Sequence, residues 1–330
     1  MKKSLKISII LFSVIAVLAS AASIYYFGAG YAYFSKVSAK ECEIPGLSQG
    51  FTPQGLAYDA ESENMFVCGY MNKKDMASRV YVLGGEDYQD VKYVTLTVDG
   101  DEFLGHTGGI AVYQTAVFLV SEGNLYRLNL ADLLAAENEG QVDVVDHFET
   151  GNGADFVTTK GAELWVGEFY RKGNYETAEN HHLTTIDGDE NMALSFCYNI
   201  DLTHEFGVES TIPVKALSTM GLVQGMAFTD DGKIILSTSY GLSDSNMYIY
   251  EDVLSEPTDV LVEVGGVGVP VYMLRSGKLI KKITLPCMSE EIFVEDGKIY
   301  VIFESACNKY KMFTRTRLNH IYSMVMDFEE

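Results

Sequence analysis

Apolar positions in most of this chain fall in short runs of about five residues, rich in β-branched and aromatic side chains and separated by turn residues. That patterning predicts strands rather than amphipathic helices. One unit recurs five times, as QGLAYDAESENMFVC, GGIAVYQTAVFLVSE, ADFVTTKGAELWVGE, QGMAFTDDGKIILST and EEIFVEDGKIYVIFE. In each copy a small or acidic position precedes an apolar residue that opens a strand, and a second marked position follows thirteen residues later. The pairs are Gly55/Cys68, Gly109/Glu122, Asp155/Glu168, Gly225/Thr238 and Glu291/Glu304. Asp231-Gly232 and Asp296-Gly297 are hairpin turns in sequence form, and Lys160-Gly161 is a weaker one. An antiparallel hairpin of this length brings both marked positions to the same end.

A third strand is signalled by an apolar residue followed by Tyr, as in Val80-Tyr81, Leu125-Tyr126, Met247-Tyr248 and Ile321-Tyr322, with Leu183-Thr184 as the degenerate copy. A fourth is expected over 92–98, 142–148, 195–202 and 278–285. Four antiparallel strands repeated every 46 to 70 residues match a propeller blade, so the expected fold is an all-β, five-bladed β-propeller, with six blades as the alternative. The last unit lacks a fourth strand, and the orphan VSAKECEI at 37–44 is expected to supply it and close the ring, which removes an exposed sheet edge. Insertions are expected at 171–180, 203–217 and 256–269, and a short helix over 130–137.

The N-terminus differs in kind. Lys2, Lys3 and Lys6 precede an uncharged, mainly apolar stretch over 7–35, long enough to span a bilayer. The expected organisation is cytoplasmic lysines and a single-pass transmembrane signal anchor in 1–35, then an extracytoplasmic propeller in 36–330. A cleaved signal peptide at Ala19-Ser20-Ala21 is the alternative. Charge changes the list of partners. The formal net charge is −22, and because the first 40 residues hold five lysines and no acid, residues 41–330 carry −27. A domain so acidic is expected to be repelled by anionic lipid surfaces and by nucleic acid, which is excluded as a partner. None of the five cysteines forms a CxxC. Cys287 and Cys307 flank one hairpin and are expected to form a disulfide, which an exported domain permits.

Chemistry is expected at the channel end where the marked positions gather. Asp155, Glu122, Glu168, Glu291 and Glu304 form an acidic ring, with Gln54, Gln224 and Glu290 one step away. Oxygen ligands at flexible spacing suit Ca²⁺ better than Mg²⁺. A hydrated channel without metal is the alternative, and in a catalytic reading His106 serves as proton shuttle. Tyr240, after a run of Ser and Thr, offers a hydroxyl to a rim ligand, as do Tyr170 and Tyr175. No GxSxG, HExxH, P-loop or EF-hand pattern is present.

The segments VQGMAFTDDGKIILSTSYG (223–241), MSEEIFV (288–294), Phe303-Glu304-Ser305 and HTGGIAV (106–112) resemble a group of uncharacterised exported bacterial five-bladed propellers. That resemblance implies a secreted or anchored propeller and no particular activity. FTPQGLAYD (51–59) also resembles the FTQGL segment of plant-type glutaminyl cyclases, which are five-bladed, with a proline inserted here. Two functions are expected from these features. The first is binding of an envelope or extracellular ligand at the propeller rim. The alternative is a Ca²⁺-dependent hydrolase of the lactonase, esterase or apyrase kind that uses the acidic ring.

Overall fold

The computed structural model describes residues 12–18, 20 and 31–325. Five four-stranded antiparallel units follow one another, and each second strand is a direct hairpin partner of the first. Blade one runs Phe51–Asp59, Asn64–Met71, Arg79–Gly84 and Asp90–Val98. Blade two comprises Gly109–Tyr113, Ala116–Ser121, Asn124–Asn129 and Asp146–Glu149. Blade three contains Phe156–Lys160, Glu163–Gly167, Ala193–Asn199 and Lys215–Thr219, and blade four Val223–Phe228, Ile234–Thr238, Ser245–Tyr250 and Leu279–Leu285. Blade five has Ser289–Glu295, Lys298–Phe303 and His320–Val325, and its fourth strand is Ser38–Glu43 from the other end of the chain. Ring closure by the N-terminal strand therefore holds, with Ser38 opposite Met324 and Glu43 opposite His320.

Burial explains why flat hairpins stack into a ring. Each neighbouring pair of blades encloses its own apolar cluster, so the core lies between the blades rather than on the axis. Phe118, Phe148, Phe196 and Tyr198 fill the space between blades two and three. Trp165, Met226 and Leu236 fill that between three and four, and Phe51, Val67 and Ile302 that between five and one. At about 25 cal/mol per Å² of apolar area, these interfaces are the main stabilising term.

Several local expectations are corrected. In blade three, Leu183–Thr184 is no third strand; it pairs only with Glu190–Asn191 in a small peripheral hairpin. The third strand is Ala193–Asn199, and the fourth, Lys215–Thr219, lies in what reads as an insertion. The run 142–148 splits. Gly140–Asp143 crosses to pair parallel with the outer strand of blade one, while Asp146–Glu149 stays in blade two. The insertion after blade four's third strand forms the hairpin Leu261–Val264 and Val267–Met273, which extends blade three by a parallel pairing to Lys215–Thr219. The short helix appears as Leu130–Ala135.

The expected span 7–35 lies largely outside the described residues, and among those residues no helix is long and apolar enough to cross a membrane. From Tyr31 on, the described chain packs against the propeller. A helix, Ala32–Val37, buries Phe34 against Phe303 and Tyr322, with ring centroids 5.9 and 5.4 Å away.

All five cysteines are free and buried, which overturns the Cys287–Cys307 disulfide. The two thiols have different neighbours. Cys307 Sγ accepts a long contact from Thr52 Oγ1 of blade one at 3.8 Å, whereas Cys287 lies by Asp244 and Arg315 on the blade-four side. Sharing one end of a hairpin does not bring two thiols onto the same face of the blade.

Candidate functional site

The first marked position of the repeat is where the inner strands converge. Glycine occupies it in blades one, two and four because the backbones meet there. A Cβ on Gly55 would lie 2.8 Å from the Ile110 nitrogen, and one on Gly225 would lie 2.7 Å from the Glu291 Cα. Blade five carries Glu291 at this position, and its side chain crosses the axis. Leu56 and Ile110 N–H donate to Oε2 at 2.7 and 2.9 Å, and Val157 N–H donates to Oε1 at 3.1 Å. One carboxyl thus ties the inner strands of blades one, two and three to blade five. Burial holds it well above the usual carboxyl range, and the three N–H donors pull the other way.

β-Bulges shape the end of the channel beside this plug. Pairing slips between Pro53 and Gly55, between Val223 and Gly225, and between Ser289 and Ile292. The residues at the slips are Gln54, Gln224 and the Glu290-Glu291 pair. A bulge re-aims side chains that a regular strand would send into the sheet faces.

A cavity of about 580 Å³ occupies this end. Gln54, Gln224, His106, Glu122, Asp155, Tyr240 and Glu304 line it, all of them positions singled out in the sequence. One wall is formed by Tyr70, Tyr310 and Lys309. Lys309 Nζ donates to the Tyr70 hydroxyl at 2.6 Å, and the Tyr70 and His106 rings lie 4.2 Å apart. The facing wall is Phe169, Tyr175 and Tyr240. Phe169 stacks with Tyr240 at 6.4 Å, and the Arg171 guanidinium lies 3.9 Å over Tyr240.

Two of the cavity carboxyls, Asp155 and Glu304, are held toward their neutral forms. Burial raises Asp155 to about 6, against a hydrogen bond from Phe169 N–H at 2.7 Å and with help from Glu168. Glu304 is also raised by burial; Lys309 and the Gln54 amide, whose Nε2 donates to Oε2 at 3.1 Å, oppose this. Behind it Glu290, 2% exposed, is raised further by burial and by the charge of Glu304, to which it is hydrogen-bonded. Such a pair holds one proton between two carboxyls. His106 is lowered to about 4 by the surrounding protein and by Lys309; its open face on the cavity lets water temper that shift. Its imidazole is therefore neutral at pH 7.

The five acids of the ring do not converge on one point. Glu291 is spent on backbone N–H groups. Glu168, 3% exposed, points outward: its Oε1 meets His181 Nδ1 and Leu194 N–H, each at 2.8 Å. His181 is thereby buried. Among the described residues no three His, Cys, Asp or Glu side chains are placed to hold a metal ion. The ring resolves into a plug, a buried clamp and three cavity acids. Tyr170 packs edge-on to His182 at 5.5 Å rather than lining the cavity.

Tyr70, Phe169, Lys309, Tyr310 and Met288 are the lining residues that sequence reasoning passed over. Tyr70, Phe169 and Tyr240 each fall one or two places beyond the second marked position, so extending the repeat by two residues would have exposed an aromatic rim. Lys309 and Tyr310 sit in an irregular loop with no repeating pattern.

Fold and cavity together define a five-bladed β-propeller with a polar, aromatic-walled pocket at one end of its channel. No family model matches the chain, and no curated protein matches it. Among solved structures it is similar to the PQQ-bound aldose sugar dehydrogenase of Streptomyces coelicolor, with 12% identity and a TM-score of 0.47 over 88% of this chain and 97% of that one. It is also similar to the glutaminyl cyclase of Myxococcus xanthus, with 11% identity and a TM-score of 0.45 over 88% and 98%. Likeness at this level carries no argument about activity.

Proposed function

We propose that this propeller is held at the outer face of the cell membrane and binds a small, hydroxyl-rich ligand of saccharide type in its channel-end pocket. The observation that carries the reading is the composition of that one cavity. A stacked Phe169–Tyr240 wall faces Gln54, Gln224, Asp155 and Glu304 across about 580 Å³, a volume ordinary for small-molecule sites. Aromatic faces suit the apolar face of a sugar ring. Carboxyls and amides offer the paired acceptors and donors that its hydroxyls require. The decisive test is calorimetric titration of the protein with a saccharide panel, including amino sugars. Tyr240→Ala and Gln224→Ala are each expected to weaken any hit about tenfold or more. Unchanged affinity in both variants would remove the pocket from consideration.

A second reading rests on a different observation, the raised Asp155 beside the proton-sharing Glu290–Glu304 pair. Carboxyls near neutrality in a cleft are suited to general acid–base work on an ester or lactone. Hydrolysis abolished by both Asp155→Asn and Glu304→Gln, with ligand binding retained, would favour catalysis. Turnover that survives both would exclude these groups.

A further inference from the structure

Residues 309–317, KYKMFTRTR, carry Lys309, Lys311, Arg315 and Arg317 and no acid, in a chain whose formal net charge is −22. Such a run is conspicuous where acids outnumber bases by 46 to 24. The loop is built, not loose. Thr314 is buried, with its hydroxyl donating to the Ser305 carbonyl at 2.9 Å, and the Tyr310 carbonyl accepts N–H bonds from Phe313 at 2.8 Å and Thr314 at 3.2 Å. This anchoring projects Met312 and Phe313 into solvent, 80% and 64% exposed. Two large apolar side chains held outward between cations are costly in water and suited to an interface.

The same face receives the segment that begins at Tyr31. Arg315 lies 5.2 Å over the Tyr31 ring, and Lys281 Nζ lies 4.7 Å over Tyr33. Tyr31, Tyr33, Lys281, Lys282 and Arg315 border one groove. Its one acid, Asp244, is engaged by the Tyr31 hydroxyl at 2.7 Å and by Arg315 at 3.6 Å. The uncharged apolar stretch of the sequence ends at this groove.

We infer that the loop 311–317 and the Tyr31–Lys282 groove dock on an anionic lipid surface, with Met312 and Phe313 entering the headgroup boundary. Tyr rings and lysines flanking an apolar segment settle at that depth. Basic residues near anionic lipid each add roughly fivefold to the attraction. The start of this loop, Lys309 and Tyr310, forms a wall of the pocket, so docking sets the pocket mouth beside the bilayer. The inference rests on the membrane reading above, and its test separates the two.

The full chain is reconstituted in nanodiscs of phosphatidylcholine alone, or with one third phosphatidylglycerol, and amide exchange is followed over 311–317. Exchange about fivefold slower in the anionic discs is expected, with the difference erased by K311E/R317E and reduced by M312S/F313S. Equal exchange in both lipids, or protection that persists in K311E/R317E, overturns the docking face. Carbonate extraction of the same chain from membranes reports the anchor independently. Release would end the anchor reading alone, and flotation of that chain with phosphatidylglycerol vesicles, bound or unbound, then decides the face.

Discussion

Glu291 shows how one side chain can join three distant strands. Its carboxyl accepts from Leu56, Ile110 and Val157, groups separated from it by 235, 181 and 134 residues of chain. Removing a buried acceptor leaves each donor unsatisfied at about 1–3 kcal/mol. Glu291→Ala is therefore expected to cost about 3 kcal/mol or more, with Glu291→Gln costing less, as measured by urea unfolding. A loss below about 1 kcal/mol in the alanine variant would contradict the plug. Asp155 gives a prediction of opposite character. Its folded pKa of about 6 lies above the unfolded value near 3.8, so the native state holds the extra proton between these limits. Stability must then fall as pH rises from about 4 to 6, the reverse of a salt-bridged carboxylate. Asp155→Asn is expected to flatten that part of the profile and, at pH 7, to stabilise by about 1–2 kcal/mol after allowance for its partial exposure. An unchanged slope would show that Asp155 is not held neutral. The Glu290–Glu304 pair shifts in the same direction, so some decline persists above pH 6 in the variant.

Strands and loops differ in how much of their placement the residue pattern carries. The hairpins of the thirteen-residue unit were legible because alternation and turn chemistry act over neighbouring residues. Gly55 does pair with Cys68, and Phe156 with Gly167. Blade three was misread because Leu183-Thr184 has strand composition but too short a partner, while Ala193–Asn199 buries nearly its whole length. A fully buried strand shows no alternation to distinguish it from its neighbours. The helix Ala32–Val37 is a similar case, apolar enough to pass as the end of a membrane span. Phe34 is only 4% exposed in the cluster with Phe303 and Tyr322. Phe34→Ala is expected to destabilise by about 3–5 kcal/mol. A chain beginning at residue 36 should melt well below one beginning at 31, and equal midpoints would show that the helix adds nothing.

Closure of the ring couples the two ends of the chain. Ser38–Glu43 contributes the outer strand of the last blade, so blade five exists only when both ends have arrived. Deletion through Glu43 should leave the edge of His320–Val325 unpaired and yield an aggregating protein without a cooperative melt. A deletion variant that stays monomeric and melts sharply would deny the closure. The same closure brings the Met288–Glu291 turn beside blades one, two and three and so assembles the pocket from every part of the chain.

Local chemistry was enough for the repeat, the hairpins, the blade number and eight of the cavity residues, since each depends on spacing, turn residues or composition within one unit. The fates of the five acids depended instead on which backbone donors and side chains surround each one after closure. Glu291 meets three strangers' N–H groups, Glu168 meets His181, and Asp155 and Glu304 are left facing the cavity. Those contacts span well over a hundred residues in Glu291, and no periodicity along a chain records which distant groups will share a site. The separation of Cys287 from Cys307, and the convergence of Tyr31 with Arg315, were decided by packing for the same reason.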